Sequence, residues 1–245
     1  MNQLVDGAWI KGSVGAARGE GAFRRQDAGF RNWITPDGSA GPSGQGGFAA
    51  ESGRYHLYVS YACPWAHRTL ILRELKGLAD HIGVSVVHPV MDDEGWGFAT
   101  DFDGATGAPL FGADRLRDIY LRADPRMTGK VTVPLLWDKN RGTIVSNESS
   151  EIIRMFDSAF DALTGSSVHF WPEDLRDRIE AVNARVYPNF NNGVYRAGFA
   201  STQNAYDEAV GPVFDTMAWL DKILSGNRYL TGERLTEADW RLFTT

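Results

Sequence analysis

Cysteine is nearly missing from this chain: Cys63 is the only one in 245 residues. A single thiol excludes a disulfide framework and fits a reducing compartment, so the sequence reads as cytoplasmic. Basic residues are in the minority, 25 Lys and Arg against 31 Asp and Glu, for a net charge of −6. That balance does not favour nucleic acid or an anionic membrane as partner. No apolar run approaches the ~20 residues of a membrane span. The first residues, MNQLVDGAWIKG, lack the basic and apolar regions of a secretory signal. The five histidines have no metal-ligand spacing with the cysteine, which predicts no metal. What the chain does have is a hydrophobic fraction of 43%, enough for packed cores, and eight tryptophans that suit aromatic packing or aromatic ligands.

The surroundings of Cys63 carry the chemistry. Tyr55, Leu57, Val59 and Tyr61 alternate with smaller or more polar residues, the period of a strand. Pro64 suits a first helical position, Trp65, Ile71, Leu72, Leu75 and Leu78 recur at helical spacing, and Gly77 marks the end. Cys63 therefore falls at a strand–helix joint, where unsatisfied N–H groups and the helix dipole favour a thiolate. A Cys-x-x-Cys here would be a thioredoxin-like redox pair, but the motif reads Cys63-Pro64-Trp65-Ala66. With no resolving thiol in the chain, the second sulfur must come from outside, and glutathione is the cytosolic source. His67 follows Cys63 by four residues and points along the helix, which gives it a packing role rather than that of a base.

Along the rest of the chain, residues 1–54 are glycine-rich and weakly patterned. Trp9, Phe23, Phe30, Trp33 and Phe48 predict an extension wrapped on the core by aromatic anchors. Val84 to Val90 reads as a buried strand, followed by a long insert to about Ala113 and a helix over Asp114–Leu121. Val131 to Trp137 reads as a strand, with Pro134 either at its first position or after a cis peptide. Thr143–Ser146 is its hairpin partner, and Asn147 opens a helix running through Phe156. Residues 55–160 thus form a βαβ unit followed by α, ββ and α. Residues 171–245 are helical throughout. One helix follows Pro172 with Ile179, Val182, Val186, Phe190 and Val194 in step. A second spans Thr202–Leu224 on Ala205, Ala209, Val213, Met217, Leu220 and Leu224. A third is capped by Thr236, with Asp239 at its third position. It reaches Thr245 after barely two turns, which predicts that the helical domain is truncated and belongs to a longer protein.

This arrangement resembles the glutathione transferase superfamily: an α/β thioredoxin-like domain followed by an all-α domain. Tyr61-Ala62-Cys63-Pro64-Trp65-Ala66-His67-Arg68-Thr69, Gly95-Trp96, Val131-Thr132-Val133-Pro134, Ser146-Asn147-Glu148-Ser149-Ser150-Glu151 and Asn192 through Ala200 are similar to the glutathionyl-hydroquinone reductases, the Xi class. The resemblance implies a homodimer that takes glutathione and glutathionyl-hydroquinones. It also implies that Cys63 is the nucleophile and that Tyr195 acts on the hydroquinone. Trp96, Lys130, Val131, Thr132, Val133, Glu148 and Ser149 would bind glutathione. Physically, a carboxylate at Glu148 answers the tripeptide's α-ammonium, and Ser149 with a helix N-terminus answers its α-carboxylate. Val133 offers backbone groups to an added strand, and Lys130 a charge without arginine's fork. Two alternatives stay open at this point: another cysteine-type glutathione enzyme, such as a dehydroascorbate reductase or deglutathionylase, and a non-catalytic glutathione-binding module.

Overall fold

The computed structural model describes residues 2–12 and 21–245; the part of the glycine-rich extension at 13–20 lies outside them. The described residues fall into two compact units, 2–12 with 27–168 and 21–26 with 169–245.

The first unit opens with a hairpin that the sequence reading missed, β1 (Gln3–Val5) and β2 (Ala8–Ile10). Asp6 and Gly7 between them both have positive φ, 47° and 79°, the tight turn that an Asp-Gly pair favours. The hairpin is docked by fully buried Leu4, whose N–H and C=O pair with Gly129, both at 2.9 Å. Further on, the N–H of Asn32 donates to Val145 and that of Asn147 to Phe30, so the extension adds a short edge to the sheet. Of the predicted anchors in this unit only Phe48 is fully buried; Trp9, Phe30 and Trp33 are half-buried, while aliphatic Leu4 and Ile34 reach the core.

β3 (Tyr55–Val59) is followed by α1 (Pro64–Leu75), β4 (Gly83–Val86), α2 (Leu116–Ala123), β5 (Leu135–Asp138), β6 (Thr143–Ser146), α3 (Ser149–Ser158) and the short α4 (Asp161–Thr164). The sheet order is β4-β3-β5-β6, with β3 parallel to β4 and antiparallel to β5. As a central strand β3 is buried on both faces, and Tyr61, grouped with it by its period, lies beyond it and is exposed. His56 sits on one of these buried faces beside Ser85 Oγ at 2.8 Å; burial lowers its pKa to about 4 and keeps it neutral. α1 ends as Gly77 predicts. Gly77 (φ 67°) donates to Glu74 and Leu78 to Arg73, the paired bonds of a left-handed cap. Its buried side is Ala66, Arg68, Thr69 and Leu72; Leu75 is exposed. β5 begins four residues later than the predicted strand, because both backbone groups of Thr132 are engaged by the Tyr120 hydroxyl rather than by a neighbouring strand. The Val133–Pro134 peptide is cis.

In the second unit a 3-10 turn (Glu173–Leu175) leads into α5 (Arg176–Val186), a π turn (Tyr187–Asn191), α6 (Gly193–Gly198), α7 (Gln203–Leu224) and α8 (Glu237–Phe243). The helix predicted through Val194 is therefore interrupted. Pro188 has no N–H to give Ala184, and the ladder widens until the N–H of Asn192 reaches the carbonyl of Tyr187. On α7 the buried face is Ala205, Ala209, Val213, Thr216 and Leu220; Met217 and Leu224, expected on it, are exposed. The core gathers Ile179, Val182, Val186, Leu220, Leu230 and Ala238. α8 starts with the capping box expected from Thr236 and Asp239. Leu242 packs on this core, and Trp240 meets Phe170 edge-on at 5.9 Å.

Candidate active site

Cys63 closes a tight turn after β3: its N–H donates to the Ser60 carbonyl at 3.1 Å, while the Ser60 hydroxyl accepts from Ala62 N–H at 3.2 Å. It is the N-cap of α1, and Pro64 takes the first helical position, where its missing N–H costs no hydrogen bond. Only 9% of Cys63 is exposed, and its thiol donates to the Val133 carbonyl at 3.5 Å. Ala66, three residues on, is fully buried. His67, read above as a packing residue, is exposed, because α1 turns Ala66 and Thr69 inward instead.

The segment that faces the cysteine is held from behind. Tyr120 on α2 donates from its hydroxyl to Thr132 C=O at 2.9 Å and accepts from Thr132 N–H at 3.3 Å and from Asn147 Nδ2 at 3.1 Å. Burial raises the pKa of this phenol, so it stays protonated and able to donate. Thr132, expected to contact glutathione, thus spends both its backbone groups on Tyr120. Asn147 is itself gripped by the extension: its Oδ1 accepts from Phe30 N–H at 3.1 Å, and its N–H donates to Phe30 C=O at 3.2 Å. Next to it Arg31 forks onto Glu151, with bonds of 2.7 and 2.6 Å, and that carboxylate stabilises the guanidinium charge.

Glu148 caps α3, its Oε1 accepting from Ser150 N–H at 2.9 Å and Ser150 Oγ at 2.8 Å; Ser149 beside it is buried. A continuous path therefore links Cys63 through Val133, Thr132, Tyr120 and Asn147 to Glu148 and Ser149. Trp96 is half-buried at a bend between Gly95 and Gly97, its carbonyl accepting from Leu116 N–H at the start of α2. Gly95 before it (φ 85°) lies against the Trp9 ring, where a Cβ would come within 3.1 Å. Lys130 follows Gly129, which is paired with Leu4. The N-terminal hairpin thus backs the chain just before both Trp96 and Lys130. Tyr195 belongs to the second unit, on α6, with its ring 5.9 Å from Phe199 and 6.3 Å from Phe23. The supports Tyr120, Asn147 and Arg31 escaped the sequence reading, since Tyr120 reads as one more apolar residue on an amphipathic helix.

Replacing Tyr120 by Phe removes one hydroxyl and takes the hydrogen-bond partner from both backbone groups of Thr132. The expected outcome is a loss of about 1–3 kcal/mol in denaturant unfolding, together with severalfold weaker glutathione binding by calorimetry. Unchanged affinity with lowered stability would mean that the hydroxyl supports the core and not the ligand-facing segment.

Among the described residues no group of three or more His, Cys, Asp or Glu is arranged to hold a metal, and no helix is long and apolar enough to cross a membrane. The family models for the glutathione S-transferase N-terminal domain and C-terminal domain match residues 62–159 and 203–245. The whole chain is 56% identical to the glutathionyl-hydroquinone reductase YqjG of Escherichia coli (strain K12) and 46% identical to the glutathionyl-hydroquinone reductase PcpF of Sphingobium chlorophenolicum, covering 75% of each. The glutathione-bound structure of YqjG superposes with a TM-score of 0.90 at 54% identity, over 99% of this chain and 73% of that one. The glutathione-S-transferase Xi of Phanerochaete chrysosporium superposes with a TM-score of 0.86, also at 54% identity, over 91% of this chain and 74% of that one.

Proposed function

This chain belongs to the glutathione S-transferase family, among the Xi-class glutathionyl-hydroquinone reductases, and from that premise we propose that it reduces glutathionyl-hydroquinones to hydroquinones through Cys63, with glutathione as the reductant. The observation that carries the reading is the monothiol turn. Cys63 starts α1 against the Val133 carbonyl, and a buried Ala66 stands where a resolving thiol would be.

The substrate ring first tautomerises, taking a proton at the carbon that bears sulfur. The Cys63 thiolate then attacks that sulfur. The sulfur–carbon bond breaks, its electron pair restores the aromatic ring as a phenolate, and the phenolic oxygen takes a proton. Hydroquinone leaves, and Cys63 holds glutathione in a mixed disulfide. A second glutathione thiolate attacks the glutathione sulfur, giving oxidised glutathione and returning Cys63 as thiolate. A transferase that activates glutathione's own thiol with a serine or tyrosine would have no use for a cysteine nucleophile.

In this reading Glu148 takes the α-ammonium of the bound tripeptide, and Ser149 with the start of α3 takes the α-carboxylate. Val133 pairs with its extended backbone, Lys130 meets a carboxylate, and Trp96 covers it. Tyr195 exchanges a proton or hydrogen bond with the phenolic oxygen. The enzyme works as a cytoplasmic homodimer, where the glutathione pool is reduced; the single thiol and the family resemblance support this placement.

Tyr195→Phe tests the assignment. Turnover of glutathionyl-hydroquinones is expected to fall by about a hundredfold, with glutathione affinity barely changed. Equal losses in both would make Tyr195 a packing residue. Dehydroascorbate and a glutathionylated protein, run in the same assay, are expected to be the poorer substrates by kcat/KM.

A further inference from the structure

The glycine-rich extension sends one short stretch, residues 21–26, into the second unit. It is pinned at both ends. Gly21 accepts from Ser201 N–H at 2.9 Å, and at φ 65° it packs so close to Thr202 that a Cβ would fall 2.5 Å from the hydroxyl. Arg25 Nε donates to Asn192 Oδ1 at 2.8 Å, three residues before Tyr195. Between the pins the Phe23 ring lies 6.3 Å from Tyr195 at an interplanar angle of 29°, and 5.4 Å from Phe199. The Arg25 guanidinium lies over the Tyr195 ring, 4.5 Å from its centroid, and over Phe23 at 5.5 Å.

Two of these contacts, from the Phe23 ring and the Arg25 guanidinium, fall on one side chain, Tyr195. Tyr195 is half-buried on a six-residue helix that directly follows a π turn, and the extension's contacts add to the one its ring makes with Phe199 at the end of that helix. A phenol that must meet a substrate oxygen needs a fixed direction. The guanidinium supplies one by attraction to the ring face. Its charge also draws electron density from the ring, which makes the hydroxyl a better hydrogen-bond donor. The bond from Arg25 Nε to Asn192 ties the cation to the same stretch of chain that carries Tyr195.

Resting on the reading that Tyr195 meets the hydroquinone oxygen, we infer that Arg25 is a positioning residue for Tyr195, and that this stretch of the extension orients the phenol for catalysis. The test uses Arg25→Met, which keeps most of the apolar stem, and Arg25→Lys, which keeps a cation but loses the bond to Asn192. Each is made in the full chain and again with Tyr195→Phe. Arg25→Met is expected to lower kcat for a glutathionyl-hydroquinone by about tenfold or more. Glutathione affinity, the melting curve and exchange with a mixed disulfide of glutathione and a small aliphatic thiol should stay unchanged. Arg25→Lys is expected to recover part of the loss. On the Tyr195→Phe background Arg25→Met is expected to add almost nothing, since both changes remove the same contribution. An equal loss on both backgrounds, or none while Tyr195→Phe is impaired, overturns the role of Arg25. If Tyr195→Phe alone is unimpaired, the underlying assignment of Tyr195 fails instead.

Discussion

Cys63→Ala is expected to leave less than about a hundredth of the wild-type turnover with glutathionyl-hydroquinones, a barrier at least about 2.7 kcal/mol higher. No other thiol in the chain can take over the displacement. Water or a neighbouring hydroxyl attacking a sulfur–aryl substrate yields no mixed disulfide, so the second half of the reaction has nothing to act on. Glutathione binding is expected to survive, because the groups proposed to hold it stand on other segments, at 96, 130–133 and 148–149. Tyr120, Asn147 and the extension hold those segments through several shorter hydrogen bonds, and the thiol adds only its 3.5 Å contact with the Val133 carbonyl. Cys63→Ser is a sharper control. Its hydroxyl can still donate to the Val133 carbonyl, where the thiol now sits 3.5 Å away, yet it lacks the nucleophile. Steady-state turnover and glutathione calorimetry on both variants give the comparison. Retained turnover above the stated level would end the thiol mechanism.

What could be read ahead of the structure was local. The period of Tyr55–Val59, the proline after Cys63 and the glycine at 77 specify a strand, a turn and a capped helix within one stretch of chain, and that is how it folds. The Asp6-Gly7 pair is a turn signal of the same local kind, but its three-residue strands are too short for a period to mark them as a hairpin. On α7 the reading failed for a different reason. At 100° per residue, Met217 sits roughly 80° from the centre of the buried face, while Thr216 lies well within it. Hydrophobicity alone put the wrong one of two neighbours inside. The residue types of the candidate site were visible, but its supports were not. Asn147 meets Tyr120 from 27 positions away, and Arg25 meets Asn192 from 167. Neither pairing leaves a local pattern, since each polar group is satisfied only once the chain has folded.

An oxidised enzyme carrying Ala66→Cys is expected to hold no glutathione. Residue 66 lies on the first turn of α1, three residues after the N-cap, a spacing from which a side chain reaches back toward the cap. A disulfide spans Cα atoms about 4.4–6.8 Å apart, a range that includes residues one helical turn apart. Once Cys63 carries glutathione, the new thiol would attack the Cys63 sulfur, forming the 63–66 disulfide and expelling glutathione. Its effective concentration, on the order of millimolar or higher for neighbours held this close, competes directly with free glutathione. Ala66 is fully buried, so the added sulfur costs about 1–3 kcal/mol of packing, to be checked by the melting curve before any redox measurement. Intact mass after treatment with oxidised glutathione then decides. The wild type should carry one glutathione, and the variant none, with two hydrogens missing. Turnover should fall as well, because each cycle would pass through an internal disulfide that a further glutathione must open. A glutathione adduct that persists on a folded variant would mean that the geometry at the start of α1 keeps a thiol at position 66 from resolving the mixed disulfide.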